Sequence, residues 1–166
     1  MEPTLRAVAG WLAATDLSRT FSAWAPWAWP LAEIVHFVGM TLLVGSIGVF
    51  DLRLLGLLRQ VPLSALRDFT RVAMVAFAMN LVSGTYFFIA QVWQYLDNPA
   101  WWAKVAFLVV AAVNIVLFET VLTRRISTLP PGEAMPTSFR LAGALSLIAW
   151  GGVLYSGRMI AFVRPN

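Results

Sequence analysis

The chain has 166 residues, of which 60% are hydrophobic and only 12% are charged. Soluble domains average about 45–50% apolar and about 25% charged residues, so this composition excludes an ordinary soluble domain and indicates an integral membrane protein. The sequence contains no cysteine, which excludes disulfides, thiolate metal sites and cysteine nucleophiles. Its net charge of +4 comes from scattered basic residues, which favours lipid headgroups as the partner and excludes nucleic acid.

The N-terminal stretch, about residues 3–21, predicts an amphipathic helix lying at the membrane interface. Leu5, Val8 and Trp11 recur at helical spacing, and Arg6 interrupts them on a polar side. No basic region followed by an apolar run and a small-residue cleavage site is present, so we expect no cleaved signal peptide.

Four longer apolar segments follow. A helix needs about 20 mainly apolar residues to cross about 30 Å of hydrocarbon. We therefore predict one transmembrane domain over 1–166, with the all-α fold of a polytopic membrane four-helix bundle, and we expect Ser64 to cap the helix of the second span. The predicted spans are about 29–58, 70–95, 101–123 and 141–163.

Basic residues predict the orientation of these spans. Seven arginines flank the first and third loops, against five basic residues on the opposite side, which favours cytoplasmic loops and periplasmic termini in a bacterial inner membrane. The seven are Arg53, Arg59, Arg67, Arg71, Arg124, Arg125 and Arg140; the five are Arg6, Arg19, Lys104, Arg158 and Arg164. A belt of tryptophans marks the predicted outer face: Trp24, Trp27, Trp29, Trp93, Trp101 and Trp102.

Three ionisable residues share one depth near that outer face. Glu33 and His36 lie in the first span, and Arg158 lies near the outer end of the fourth. An ionisable side chain inside a span needs a partner or a function. One interpretation is a structural ion pair between Glu33 and Arg158 beside a neutral His36. The other makes His36, the only histidine, an axial ligand of haem b, with Arg158 and Tyr155 holding the propionates.

Other metals fit this pattern less well. His36 and Met40, four residues apart on one helix face, also form a plausible copper pair. The Glu33-x-x-His36 spacing matches di-iron bundles, but such a site needs a second motif. For haem, the sixth ligand is Met40, another side chain, water, or none, because a second histidine does not exist.

Two further polar sets remain open to two interpretations. Asn80, Ser83, Gly84, Phe87 and Gln91 lie on one face of the second span, which allows close helix packing or leaves room for a flat cofactor. At the inner end, Asp51 and Glu119 lie among arginines. These charged residues form ion pairs at the interface or contact lipid headgroups.

Several motifs together resemble an uncharacterised bacterial family of small four-helix membrane proteins. More distantly, the layout is similar to the haem-associated bundles of the copper-resistance D type and to membrane protoporphyrinogen oxidases, which implies use of an early histidine such as His36. The resemblance also implies a histidine after Phe118, where this chain has Glu119. The motifs that carry it are Glu33–Gly39, Asp51–Gly56, Asn98-Pro99 with Lys104 and Asn114, and Gly157–Ala161.

The leading functional hypothesis is a membrane b-type haem protein that exchanges electrons with a quinone or a periplasmic redox partner. A non-redox transporter subunit or assembly factor is the alternative from a different class. A porphyrin-oxidising membrane enzyme is the third. A homo-oligomer is a further hypothesis, since four helices bury little surface and glycine-lined faces can be shared between subunits.

Overall fold

Helices make up all the regular structure in the part of the chain that the structure describes. A computed structural model describes residues 3–61, 66–122 and 135–163. The helices are α1 (Pro3–Ala13), α2 (Asp16–Ala23), α3 (Ala25–Leu54), α4 (Leu66–Ala90), α5 (Val92–Leu96), α6 (Pro99–Leu117) and α7 (Thr137–Met159). A π-helical turn, Phe118–Leu122, directly follows α6.

Four of these helices, α3, α4, α6 and α7, are long and apolar enough to cross a membrane. The predicted all-α bundle with four spans is therefore confirmed. Many large apolar side chains on these helices are exposed, such as Ile34, Val75 and Ile148. Exposing this much apolar surface to water is unfavourable, so these faces contact the lipid bilayer. Ser64, Arg124, Arg125 and Arg164, which entered the capping and orientation predictions, lie outside the described residues.

The first span ends earlier than its hydropathy predicts. The predicted end was residue 58, but α3 stops at Leu54. Gly56 has a φ of +84°, a left-handed conformation that favours glycine and ends helices. The Leu57 amide donates to the Leu52 carbonyl over 3.0 Å, which closes the turn in the manner of a Schellman motif. The apolar sequence continues through Leu58, but the helix ends at Leu54.

The second predicted span, 70–95, contains a break. Gln91 leaves the helical region with φ −139° and ψ 53°, so α4 ends at Ala90 and α5 is separate. The break frees carbonyl groups that a membrane cannot hydrate. Serine hydroxyls from α2 replace the lost partners: Ser18 Oγ donates to the Ile89 carbonyl and Ser22 Oγ to the Ala90 carbonyl, each over 2.8 Å.

The single interfacial helix predicted over 3–21 is instead two helices, α1 and α2. Thr15 separates them because its hydroxyl accepts a hydrogen bond from the Ser18 amide over 3.2 Å, the pattern of an N-cap. The guanidinium of Arg6 forms an ion pair with the carboxylate of Asp97, with Nη2 and Oδ1 3.5 Å apart. This pair joins α1 to the turn before α6. The two short helices therefore close one end of the bundle, here called the upper end, where α3 and α6 begin and α4 and α7 end.

The helices of the third and fourth spans, α6 and α7, also begin before their predicted starts at 101 and 141. Asn98 caps α6, and its side-chain oxygen accepts from the Ala100 amide over 2.9 Å. The fourth helix, α7, begins at Thr137 and ends at Met159, whereas the predicted end was residue 163. Proline at the first helical position of α6 needs no hydrogen-bond donor there, which is why the helix can start at Pro99.

The spanning helices pack as two antiparallel pairs. α3 packs along α4, α6 packs along α7, and the two pairs meet through α3 and α7. No Cα atom of α4 lies within 8 Å of a Cα atom of α6 in the described residues. Side chains bridge this separation at mid-height, where an apolar cluster joins all four helices. The cluster contains Leu43, Ala76, Ala111, Ala149, Trp150 and Val153.

Close packing of α6 on α7 depends on Gly152. A Cβ atom at this position would lie 2.5 Å from ring carbons of Phe107, a distance real structures do not tolerate. The adjacent Gly151 has open space around the same atom. Gly152→Ala is therefore expected to lower the free energy of unfolding by about 1–3 kcal/mol through overpacking.

Gly151→Ala is the matched control for that prediction. It adds the same methyl group one residue away, and it should leave stability unchanged or raise it by up to about 1 kcal/mol through helix propensity. Unfolding of both variants in mixed detergent and SDS micelles gives the comparison. Equal stabilities for the two variants would contradict the proposed packing.

Candidate functional site

His36 lies inside the bundle on the side of α3 that faces α4. Its Nδ1 atom is 2.8 Å from the Ser83 hydroxyl oxygen. That hydroxyl also lies 2.7 Å from the Met79 carbonyl, to which it donates. Since a serine hydroxyl has one proton, Ser83 accepts from His36, and the neutral ring carries its proton on Nδ1. Its Nε2 atom then presents a lone pair and has no hydrogen bond within the described residues.

Small and aromatic residues of α4 surround the His36 ring. A Cβ atom added to Gly84 would lie 3.7 Å from His36 Cε1, so the glycine leaves a space of one methyl group beside the ring. The Phe87 ring meets His36 edge-on, with centroids 5.5 Å apart. The imidazole is therefore fixed on two sides by α4, and its free nitrogen is not covered by these contacts.

Lys104 lies near the start of α6. Its Nζ, Cδ and Cε atoms all lie 3.5–3.6 Å from the position a Cβ atom of Gly157 would occupy, so the chain runs across the bare backbone of α7. No carboxylate forms an ion pair with Lys104 among the residues described here. A cation inside a span without such a partner is costly, so Lys104 is a candidate functional residue.

His36 lies between α3 and α4, and Lys104 of α6 lies against α7. At the upper end, Phe88 of α4 stacks on Trp101 of α6 with ring centroids 5.3 Å apart and 16° between the ring planes. Below, the mid-height cluster with Leu43 and Trp150 joins all four spanning helices.

Glu33 lies near the upper end and is exposed. It accepts a hydrogen bond from Trp29 Nε1 over 3.1 Å. Together with burial, which is the larger cause, its charge raises the pKa of Tyr95 to about 12. The carboxylate is therefore engaged at the upper end by Trp29 of its own helix.

The structure does not bring Arg158 and Tyr155 to His36. Arg158 is exposed and lies over the ring of Phe162, 4.8 Å from its centroid. Tyr155 is 70% exposed. Neither residue has a hydrogen bond or ion pair with His36 or Glu33 within the described ranges, and the ion pair between Glu33 and Arg158 is not formed there. Met40 is half-buried one turn below His36 on α3, and its role as a ligand stays a prediction.

A second buried polar group lies at the lower end. Asp51 is only 3% exposed, with the Ser146 side chain beside its carboxyl group. Its Oδ2 atom has no partner within the described residues. Glu119 is exposed on the π-helical turn. In the parts of the chain that are described, no three His, Asp or Glu side chains gather into a metal-binding group.

The DUF6644 family, described as a family of unknown function, matches residues 23–163 of the chain. The chain belongs to this family. The match takes in α3 to α7 and leaves out α1 and most of α2, so the His36 and Asp51 sites both lie within the DUF6644 region. No curated protein and no solved structure matches the chain.

Sequence reasoning missed the position of Lys104. It was counted as an outer basic residue for the orientation of the bundle, while Arg158 was assigned to the site because of its depth. A signal was available, since Lys104 stands alone among apolar residues from Ala103 to Val113 of this DUF6644 chain. Ser83 was recognised as part of a polar face, but its bond to His36 follows only from the packing of α3 on α4.

Proposed function

We propose that the protein is a membrane b-type haem protein in which His36 binds the iron. The observation that carries the proposal is the hydrogen bond between His36 Nδ1 and Ser83, which leaves Nε2 without a hydrogen bond in the described residues. Metal-binding histidines are oriented in this way, with the second nitrogen donating to a neighbouring oxygen.

The surroundings also fit a flat apolar cofactor. Gly84 leaves room for a methyl group beside the ring, and no Cα atoms of α4 and α6 lie within 8 Å of each other in the described residues. Haem would supply one-electron redox chemistry at this site. The chain's own residues would orient the iron ligand through Ser83, exclude water with the aromatic pair Phe88 and Trp101, and offer a positive charge from Lys104. Electron exchange with a quinone or a periplasmic redox protein is part of the proposal.

The test is an optical spectrum of the detergent-purified protein, as isolated and after addition of ferric haem b. We expect a Soret band that shifts on reduction with dithionite, and a pyridine haemochrome of the b type. A protein that stays colourless with added haem and contains no metal would end the proposal.

A non-redox transporter subunit or assembly factor is the second candidate. Asp51 favours it, because a buried carboxyl group with an orphaned oxygen in a spanning helix is typical of ion or proton pathways. A purified protein that stays colourless with added haem and contains no metal would support this candidate. A porphyrin-oxidising enzyme would in addition consume protoporphyrinogen in membranes that contain the protein.

A further inference from the structure

We infer that Asp51 is a proton-binding site at the contact between α3 and α7, and that the bound proton holds the two helix pairs together there. The haem proposal makes no use of this residue, so the inference extends beyond that proposal. It also gives the second candidate function a specific ligand, the proton.

The contact between α3 and α7 joins the two helix pairs. Among the spanning helices, these two are the only members of different pairs with Cα atoms within 8 Å of each other in the described ranges. Near the lower end, the two backbones come close at Gly143 of α7. A Cβ atom at this position would lie 3.0 Å from the Asp51 carbonyl oxygen and 3.1 Å from Leu54 Cβ. Asp51 therefore lies in the contact itself.

The carboxyl group of Asp51 is closed off from water. The residue is 3% exposed, and its Oδ2 atom has no hydrogen-bond partner among the described residues. On α7, Ser146 follows Gly143 by one turn, is also buried, and places its hydroxyl beside the carboxyl group. On α3, Ile47 packs against the mid-height cluster above, and Leu54 belongs to a second apolar cluster below. A carboxylate here would lose its hydration, and one hydroxyl does not replace it.

No counter-ion pairs with this carboxyl group in the part of the chain that is described. On α3, Arg53 Nε donates to the Val61 carbonyl over 2.8 Å. On α4, Arg71 pairs with Asp68 over 3.1 Å, and both side chains are exposed. A buried carboxylate without a cation is strongly unfavourable, so the neutral form of Asp51 fits this position. The other charged residues on elements that pack nearby, both exposed, are Arg140 of α7 and Glu119 of the π-helical turn.

A proton neutralises the carboxyl group without needing space or further ligands. Hard metal cations such as Mg²⁺ and Ca²⁺ take about six to eight oxygen ligands. The described residues gather no group of three His, Asp or Glu side chains, and the close approach at Gly143 leaves little room. A protonated carboxyl group is an O–H donor, which the Ser146 oxygen can accept. Loss of the proton would put a bare carboxylate between α3 and α7, so the contact should weaken as the pH rises.

The experiment measures unfolding in mixed detergent and SDS micelles from about pH 5 to about pH 9 for the wild type and Asp51→Asn. The folded protein holds a proton on Asp51 that the unfolded chain releases, so stability is highest at acid pH and is lost as the pH rises. Where Asp51 ionises, the wild-type unfolding constant should rise by up to about tenfold per pH unit, the effect of one proton. Asp51→Asn is neutral at every pH, so it should lack this rise and be the more stable protein at the alkaline end.

Asp68→Asn is the matched control, because it removes an exposed carboxylate from the lower part of α4. It should keep the pH dependence of the wild type. Titration of other groups, such as His36, is common to all three proteins and cancels in the comparison.

Infrared spectroscopy of the folded wild type gives a second readout that needs no variant. Exposed carboxyl groups have a pKa near about 4 and are ionised at neutral pH. A protonated Asp51 should therefore show the C=O stretch of a carboxylic acid at mildly acid to neutral pH, and the band should disappear at alkaline pH. If Asp51→Asn does not fold, this band alone decides.

Two results would overturn the inference. One is a wild-type pH dependence that persists unchanged in Asp51→Asn, and the other is the absence of the carboxylic acid band from the folded wild type at mildly acid pH. Neither readout uses haem. Failure of the inference therefore leaves the haem proposal standing, and a protein that binds no haem leaves the proton site standing.

Discussion

His36→Ala is expected to abolish the Soret band of the haem-loaded protein at haem concentrations that saturate the wild type. Loss of a partner that only orients a metal-binding histidine already costs about 10–100-fold in affinity. Loss of the ligand itself should therefore lower haem affinity by at least roughly 100-fold. Spectrophotometric titration of the purified variant with ferric haem b measures the effect.

Two further experiments test whether the loss in His36→Ala comes from the missing iron ligand. Imidazole added to His36→Ala should restore part of the Soret band, because the deleted ring leaves a space beside Gly84 that a free imidazole can enter. Ser83→Ala keeps the ring but removes the oxygen 2.8 Å from Nδ1, so its affinity should fall between those of the wild type and His36→Ala. A normal spectrum for His36→Ala would remove His36 from the site.

The four spans could be predicted from the sequence because length and hydropathy are properties of each segment by itself. The places where a span ends were less predictable. Gly56 and Gln91 stop their helices within apolar stretches, and the second break is tolerated only because Ser18 and Ser22 of α2 satisfy the freed carbonyls. Those partners are about 70 residues away in sequence, at separations of 71 and 68.

The candidate site was predicted only in part for a related physical reason. Counting residues from a helix end predicts depth, and on that basis His36 and Arg158 were expected near one level. Depth does not give the rotation of a helix about its axis. Rotation puts Arg158 on the exposed side of α7 and turns Lys104 of α6 inward. Helix contacts set that rotation, and those contacts involve residues far apart in the sequence.

Asn98→Ala is expected to have the largest effect on stability. Asn98 is fully buried, and its Nδ2 atom donates to the carbonyls of Ile160 and Val163, each over 3.0 Å. Its Oδ1 atom caps α6 through the Ala100 amide. Alanine removes all three bonds, so the free energy of unfolding should fall by about 2–4 kcal/mol. SDS titration in mixed micelles measures the fall.

Asn98→Ser separates the two roles of this side chain. Serine can still cap α6 but cannot reach the two carbonyls beyond α7, so it should recover about 1 kcal/mol of the loss. Thr41→Ala is the control, because the Thr41 hydroxyl is exposed and bonds only within its own helix. Its stability should stay within about 0.5 kcal/mol of the wild type. A similarly small change in Asn98→Ala would contradict the prediction.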